Sequence, residues 1–378
     1  MRKWPEKQLG DFVSLEYGKA LRSEERSENG RYPVYGSNGI VGSYNEAIVK
    51  HPTIIVGRKG AIGETHLALD GCWPIDTAFY TVLRQQDIIL LPFLLQWFRW
   101  VDLKSLAITS TIPGLNRNTL YAQKLPLPPL PEQERIVKLL DEADELRKLR
   151  EQADKRSAEL IPALFEEIFG DPGRNPKKWE IVELVEMVSK NRHAIKRGPF
   201  GGAIKKEIFV PEGYKVFEQK NAIRNDFNIG NYFIDTAKYK ELECFSVLPE
   251  DIIISCSGTI GKVAIVPKQA KPGIINQALL KISLDNFKVL PIFFQCLLET
   301  NHVQWLLFGG AAGSAIKNVK PLDQIKKTKL PLPPLPLQKE FAARVSDLRA
   351  LESAQSASRK NLDALFQSLL HWAFAGER

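Results

Sequence analysis

Cysteine and histidine are scarce in this chain of 378 residues, which has four of the first and five of the second. The cysteines lie far apart, without a C-x-x-C pair among them: Cys72, Cys244, Cys256 and Cys296. A disulfide framework needs a dense, even set of cysteines, and a structural zinc site needs closely spaced cysteine or histidine ligands. We therefore expect neither a disulfide scaffold nor a metal site.

Long apolar runs are missing as well. No segment approaches the roughly 18 to 20 apolar residues that span a bilayer. The N-terminal stretch MRKWPEKQLG lacks the basic, apolar and small-residue order of a secretory signal. We expect a soluble, cytoplasmic protein that has no membrane partner.

Motifs for catalysis are absent too. The stretch SCSGTIGKVA is reminiscent of a phosphate-binding loop, but Cys256 stands where GxxxxGK[ST] requires its first glycine and Val263 where it requires a hydroxyl. Neither an Asn-Pro-Pro-aromatic nor an Asp-Pro-Pro-aromatic word occurs, and no serine or cysteine nucleophile motif is found. The sequence predicts a chain without catalytic residues and without a cofactor of its own.

The composition is that of a globular protein, with 44% apolar residues and a mean hydropathy of −0.19. Its length suits two or three domains. The net charge of +8 is unevenly spread: +3 over residues 1–131, −4 over 132–169, +8 over 170–336 and +1 over 337–378. Two basic blocks separated by acidic or nearly neutral ones favour a polyanionic partner.

A Pro-rich octapeptide, KLPLPPLP, occurs at residues 124–131 and again at 329–336. At this offset of 205 residues the register continues for over forty residues and pairs Gln133 with Gln338 and Phe169 with Phe374, which indicates an internal duplication. Proline removes a backbone donor and fixes φ, so each octapeptide should run extended into the helix that follows. Docking to an SH3-like partner is disfavoured because both copies lead directly into a helical pattern.

Each octapeptide precedes a long helical pattern with one apolar stripe, from Ile136 to Leu164 in the first copy and from Phe341 to Trp372 in the second. Such stripes pack against another helix, within the chain or on a partner. A helix over residues 132–169 would be ~57 Å long at 1.5 Å per residue. Pro162 is predicted to kink or divide it near its end.

The segments before the helices match each other as well. WPEKQLGDFV at Trp4 corresponds to WEIVELVEMV at Trp179, and LPFLLQWF at Leu91 to LPIFFQCL at Leu290. IIVGRKGAIGE and IIISCSGTIGK both predict a buried strand that runs into a turn bounded by glycines. The chain is therefore predicted to be a tandem of two units, each a mixed α and β globular domain followed by a long helix.

These features together resemble the specificity subunit of type I restriction-modification systems. The resemblance rests on the repeated PLPPLP before Gln133 and Gln338, on GPFGGAIKKEIF from Gly198, and on the later VFEQKNAI and DIIISCSGTIGKVAIV. It implies an α+β fold with two mixed α/β target recognition domains in tandem, each followed by a long helix, the two helices packing as an antiparallel coiled coil. The chain departs from the first copy at Leu337 and Lys339, where an acidic first turn is lost.

The same resemblance implies four segments. Target recognition domain 1 would span residues 1–124, the proximal joint and spacer helix 125–172, target recognition domain 2 residues 173–329, and the distal joint and helix 330–378. It implies a bipartite target on double-stranded DNA, with one half-site per recognition domain. The expected protein partners are two modification (methyltransferase) subunits and the restriction (translocase/nuclease) subunits. S-adenosylmethionine, ATP and magnesium are expected on those partner subunits.

Candidate DNA contacts are the basic, amide and hydroxyl side chains of short loops, since these suit phosphates and base edges. They are Ser37, Asn38, Arg58, Lys59, Arg117, Asn118, Lys196, Arg197, Lys205, Lys206, Lys220, Asn221, Ser257, Thr259, Lys262, Lys317 and Asn318. Trp73, Trp97 and Trp100 are predicted to be core residues. An alternative function is a non-catalytic duplicated scaffold that binds nucleic acid without sequence preference, or another protein.

Overall fold

The structure, a computed structural model, describes residues 4–85, 87–107, 113–309 and 319–375. The chain forms two compact units, Met1–Gln152 with Ser356–Arg378, and Ala153–Gln355. Each unit thus combines a globular part with portions of the long helices. The four segment limits given above divide the chain differently and stay predictions.

Within its described residues, the first unit contains nine strands, two short helices and most of the long helix α3 (Leu130–Ser157). The strands are β1 (Glu6–Gln8), β2 (Val13–Tyr17), β3 (Tyr32–Gly36), β4 (Gly39–Tyr44), β5 (Thr53–Gly57), β6 (Thr65–Ala68), β7 (Trp73–Pro74), β8 (Ala78–Leu83) and β9 (Lys124–Pro126). The helices are α1 (Leu91–Trp100), α2 (Arg117–Tyr121) and α3 (Leu130–Ser157), whose last residues belong to the second unit.

Strand β5 is central to the first unit. Its sheet has the order β2-β8-β5-β6, with every neighbouring pair antiparallel. Because side chains alternate across a strand, Ile54 and Val56 face the core under α1, whereas Ile55 joins a smaller cluster on the opposite face. A second sheet has the order β4-β3-β7. Trp97 lies fully buried and Trp73 is 6% exposed, which agrees with their predicted core role.

In the part of the second unit that the structure describes, the strands are β10 to β19: Glu180–Glu183, Ile195–Arg197, Tyr214–Phe217, Phe233–Ile234, Ser246–Val247, Ile252–Ser255, Val263–Ile265, Gly273–Ile275, Leu279–Ile282 and Lys329–Leu332. Its helices, α4 to α10, are Leu160–Phe169, Gln219–Arg224, Thr236–Glu241, Pro291–Glu299, Asn301–Phe308, Leu322–Lys326 and Leu335–Ala375, the last of which continues into the first unit.

The main sheet of the second unit repeats that of the first. Its order is β11-β18-β15-β16, again antiparallel throughout, with the buried strand β15 at the place of β5. Helix α7 packs on this sheet, as α1 does in the first unit. A further sheet, β13-β12-β17-β14, contains one parallel pair, β12 with β17. The predicted tandem of two α/β domains is therefore confirmed.

Both Pro-rich octapeptides begin extended and end helical. The first forms β9, which pairs with β1, and the second forms β19, which pairs with β10. The final Leu-Pro of each octapeptide already belongs to the helix, since α3 begins at Leu130 and α10 at Leu335. Proline is tolerated there because the first-turn amides have no partner within the helix. The two helices begin at equivalent residues despite the lost acidic residues at Leu337 and Lys339.

The long helices pair with each other inside each unit. In the first unit, Arg135 stacks on Trp372 at 5.0 Å, and Arg147 meets Phe366 at 4.6 Å. The later residue of α3 thus meets the earlier residue of α10, so the helices are antiparallel. In the second unit Phe341 contacts Phe165 of α4, with ring centroids 5.7 Å apart. The sequence left open whether each apolar stripe packs within the chain or on a partner, and these contacts lie within the chain.

The helix predicted over residues 132–169 is divided near its end, as Pro162 predicted. Helix α3 ends at Ser157, a turn follows at residues 158–159, and α4 begins at Leu160 with Pro162 in its first turn. This is the predicted division, because proline has no amide hydrogen and is accepted only near a helix start. The position equivalent to Pro162 in the second copy is Gln367, and there α10 continues unbroken.

Candidate nucleic-acid interface

In the first unit, a loop bounded by glycines follows β5. The amide of Gly63 donates to the Gly57 carbonyl at 2.9 Å, and the Arg58 amide donates to the Thr77 carbonyl at 2.9 Å. Gly60 and Gly63 have φ of +76° and +80°, in the left-handed region. A Cβ atom disfavours such φ values, so glycine, which has none, permits the turn. The loop thereby presents Arg58 and Lys59 at the end of the sheet.

Arg58 and Arg117 converge on the ring of Tyr17. The guanidinium carbons lie 5.0 Å and 4.5 Å from the ring centroid, respectively. Arg117 also donates to the Leu15 carbonyl at 3.2 Å, and the Leu115 amide donates to the Arg58 carbonyl at 3.0 Å. The Nε of Arg58 is buried and has no hydrogen-bond partner among the described residues. Two cations thus contact the same aromatic ring.

The turn between β3 and β4 approaches the same loop. A β-carbon added to Gly60 would lie 3.4 Å from the hydroxyl oxygen of Ser37. Asn38, beside it, is exposed, and so is Lys59. Asn118 is exposed in the first turn of α2, where its amide is capped by Asn116. The structure therefore brings most of the candidate residues of the first unit to one end of the sheet.

The second unit has a corresponding loop after β15. The Gly261 amide donates to the Ser255 carbonyl at 2.8 Å, and the Ser255 hydroxyl donates to the Thr259 carbonyl at 2.6 Å. Gly258 and Gly261 again have positive φ, +59° and +83°. The loop exposes three of the predicted contacts, Ser257, Thr259 and Lys262.

The adjacent residues Lys196 and Arg197 of β11 point to opposite faces of their sheet, as alternation requires. Lys196 lies 5.1 Å from the ring of Phe245. The Arg197 guanidinium lies 5.2 Å from the ring of Phe200, which is 67% exposed. These two candidates therefore do not share one surface. Lys205 is exposed, and the side chain of Lys206 lies outside the described part of the structure.

Two further candidates of the second unit are engaged internally. Asn221 is fully buried: its amide group donates to the carbonyls of Asp226 and Ile229, and its oxygen accepts from the Glu218 amide. We remove Asn221 from the candidate set, because a buried side chain with satisfied hydrogen bonds cannot reach DNA. Lys220 forms an ion pair with Glu218 at 2.6 Å, so its charge is partly neutralised. Lys317 and Asn318 lie outside the described residues.

Two glutamines at equivalent positions of the repeat, Gln133 and Gln338, connect each Pro-rich octapeptide to the rest of its unit by hydrogen bonds. Gln133 is fully buried, accepts from the Leu90 amide at 2.8 Å, and donates to the Ile88 and Pro128 carbonyls, each at 2.8 Å. It thereby ties the Pro-rich octapeptide and α3 to the start of α1. The signal for this role was available, since glutamine recurs at the offset of 205 residues.

Gln338 repeats the arrangement in the second unit. It is fully buried, accepts from the Leu290 amide at 2.9 Å, and donates to the carbonyls of Lys288 at 3.0 Å and Pro333 at 2.8 Å. The same three bonds thus join the octapeptide, the long helix and the start of α7. In each unit the sheet-packed helix and the long helix are held by one side chain.

The cysteines are unpaired, and burial suppresses ionisation of three of them. Desolvation raises the pKa of the Cys72 and Cys296 thiols to about 12 and that of Cys256 to about 11. We call these three the buried thiols. No group of three or more potential metal ligands occurs within the described ranges. No helix of the described chain combines the length and apolarity needed to cross a membrane.

The sequence profile of a known family matches both halves of the chain. Its description is "Type I restriction modification DNA specificity domain", and it covers residues 1–156 and 176–361. The chain belongs to this family. Specificity subunits are a non-catalytic component of type I restriction-modification systems.

Curated relatives carry the same family name. The type I restriction enzyme MjaVIII specificity subunit of Methanocaldococcus jannaschii is 24% identical over 99% of this chain and 92% of its own length. The putative MjaX specificity subunit of the same organism is 27% identical over 70% of this chain, but only 61% of that relative is covered. The EcoBI specificity subunit of Escherichia coli is 25% identical over 71% of this chain and 61% of its own.

Solved structures share the fold. The type I restriction-modification S subunit from M. genitalium aligns over 98% of this chain and 96% of its own, with a TM-score of 0.60 and 16% identity. A chain from a structure of complex assembly and conformational transition of the type I R-M system aligns over 99% of this chain and 98% of its own, at a TM-score of 0.63 and 20% identity. At such low identity the likeness concerns the fold of this specificity subunit.

Proposed function

We propose that the chain recognises a bipartite target on double-stranded DNA, one half-site per globular domain. The observation that carries the proposal is the glycine-bounded loop found at the same place in both main sheets. The first loop presents Arg58 and Lys59, and the second presents Ser257, Thr259 and Lys262. Loops of this composition suit hydrogen bonding to phosphates and base edges. The basic segments 1–131 and 170–336 coincide with the parts that carry these loops.

The chain would direct modification and restriction subunits to this site. Two modification subunits would dock on the duplicated frame and carry S-adenosylmethionine, while the restriction subunits would carry ATP and magnesium. On this proposal the chain itself holds no cofactor and works in the cytoplasm together with the DNA that it surveys. Its contribution is to position the enzymes by binding, without bond chemistry of its own.

The first test is a selection from random duplex DNA with the full chain co-purified with its modification subunit, followed by sequencing of the bound pool. The expected motif is two short blocks separated by an unspecified gap of fixed length. A single contiguous motif would leave one domain without a recognition role. No enrichment would favour the duplicated scaffold, which loses affinity with salt but has no preferred site.

A variant then assigns a half-site to a domain. Arg58→Ala should weaken preference at one block of the motif by roughly 5- to 150-fold, because a good bidentate base contact contributes about 1 to 3 kcal/mol of discrimination. The other block should be unaffected. Arg31→Ala is the matched control, since Arg31 also stacks on a ring, that of Tyr32 at 5.1 Å, but lies outside the loop. Equal weakening of both blocks would contradict one reader per half-site.

A further inference from the structure

The two loops can be aligned by their backbone hydrogen bonds, without reference to side chains. Gly57 and Ser255 occupy equivalent places, because their carbonyls accept from Gly63 and Gly261, the second glycines of the two loops. The next residue along each strand is therefore equivalent too. That residue is Arg58 in the first unit and Cys256 in the second.

The neighbouring edge strands align in the same manner. The Gly18 amide donates to the Ala78 carbonyl at 3.1 Å, and the Gly198 amide donates to the Leu279 carbonyl at 2.9 Å. Both glycines directly follow the strand, β2 or β11, that pairs with β8 or β18. The residues before them are therefore equivalent: Tyr17 in the first unit and Arg197 in the second.

These two pairs show an exchange. The first unit has tyrosine on the edge strand and Arg58 at the loop, whereas the second has Arg197 on the edge strand and cysteine at the loop. Arg197 also interacts with Cys256, because its charge opposes the rise in the pKa of that thiol. A guanidinium is thus present at the same end of both sheets, supplied by a different strand in each.

The two guanidiniums share their surroundings. Arg58 lies 5.0 Å from the ring of Tyr17 and Arg197 lies 5.2 Å from that of Phe200, so each is supported by an aromatic face. The Nε atoms of both are buried without a hydrogen-bond partner in the described structure. Neither forms an ion pair with any residue that the structure describes. A guanidinium that is fixed by an aromatic ring and has no ion-pair partner in the described structure is suited to a ligand with two adjacent hydrogen-bond acceptors.

We propose that Arg58 and Arg197 are equivalent specificity-determining residues, each donating to O6 and N7 of a guanine in one half-site. This deepens the proposed function and rests on it. Guanine is the base that offers two adjacent acceptors in the major groove, and arginine fits them with two parallel hydrogen bonds. Phosphate offers paired oxygens as well, so the test separates guanine from the DNA backbone.

The experiment uses the full chain with its modification subunit and compares wild type with Arg58→Lys and Arg197→Lys. Lysine keeps the positive charge for phosphate but cannot make the planar bidentate contact. We expect each variant to lose guanine preference at one position, in opposite blocks of the selected motif, by roughly 5- to 150-fold. Arg31→Lys in the first unit and Arg174→Lys in the second, an exposed residue paired with Asp171, are the controls.

A second measurement requires no change in the protein. Replacing the guanine of each block by 7-deazaguanine removes N7 while keeping Watson–Crick pairing. Wild-type affinity should fall several-fold for each replacement, because the contact with N7 is lost. This readout remains informative if an arginine variant is poorly folded.

The outcomes separate the inference from the proposed function. If wild type selects no bipartite motif, the proposed function fails. If it selects two blocks but neither contains a guanine that responds to these changes, the arginine assignment fails and the proposed function stands. Loss of guanine preference at one block only would refute the equivalence of Arg58 and Arg197.

Discussion

Replacing Gln338 by alanine should destabilise the second unit far more than its size suggests. The side chain is fully buried and makes three hydrogen bonds, to the Leu290 amide and to the carbonyls of Lys288 and Pro333. A net contribution of about 0.5 to 1.5 kcal/mol per bond, together with backbone groups left unpaired, gives a loss of about 2 to 4 kcal/mol in the free energy of unfolding.

The loss can be measured globally and locally. For a unit of this size, about 2 to 4 °C per kcal/mol predicts that the unfolding temperature of the affected transition falls by roughly 5 to 15 °C. Hydrogen exchange at the Leu290 amide, protected by Gln338, should accelerate by roughly 30- to 1000-fold if exchange follows local opening. The Leu290 amide is a specific probe because, in the described structure, it donates to the side-chain oxygen of Gln338.

Two further variants isolate the hydrogen bonds from the volume. Gln338→Met keeps a side chain of similar length without the amide, so it should be nearly as destabilised as Gln338→Ala. Gln367→Ala is the matched control, since Gln367 lies on the same helix and is exposed; its effect should stay within about 0.5 kcal/mol. If the methionine variant matches wild type, or if Leu290 exchange is unchanged in either variant, the hydrogen-bond account is refuted.

Two other predictions test the packing and the thiols. Phe366→Ala should lower the free energy of unfolding by about 3 to 5 kcal/mol, because the ring is buried. Asp363→Ala removes a partly exposed ion pair with Arg147 and should change it by less than about 1 kcal/mol in the same urea titration. Comparable losses in the two variants would contradict this ranking. In the native protein, a thiol reagent at pH 8 to 9 should modify Cys244 first and spare the buried thiols. The buried thiols have pKa values raised to about 11 or 12 and stay protonated at this pH, and only the thiolate reacts. Rapid modification of all four cysteines before unfolding would disprove their burial.

The sequence predicted the elements whose physics is local. Prolines fixed the extended joint, and Pro162 marked the break between α3 and α4, because each lacks an amide hydrogen whatever its surroundings. Periodicity indicated the helices, and repeated register indicated the duplication. Chain direction and the identity of the stripe's partner required the contacts of Arg135 and Arg147 with α10, since an apolar stripe does not identify its mate.

The candidate site was predictable as a class of loop but not as a constellation. Arg58 and Arg197 were both chosen for their charge, yet the direct alignment of IIVGRKGAIGE with IIISCSGTIGK pairs Arg58 with Cys256 and hides their relation. Their common position depends on which strands are neighbours in the sheet, which a linear comparison cannot supply. Asn221 was predicted to contact DNA, but its side chain donates to backbone carbonyls inside the domain. A sequence does not reveal which polar side chains form such internal hydrogen bonds.

Comparing the two copies separates the residues that hold the joint from those at the end of the sheet that we propose contact DNA. Gln133 and Gln338 keep the same residue, the same burial and the same three bonds, because any other side chain would leave backbone groups of the joint unpaired. On the proposal that a guanidinium at the end of each sheet contacts guanine, the requirement there is looser, because either the loop or the edge strand can supply that group. The residues at the end of the sheet can therefore differ between the copies while the joint stays the same. Divergence at Tyr17, Arg58, Arg197 and Cys256 beside identity at the glutamines is therefore what two readers of different half-sites on one repeated frame would require.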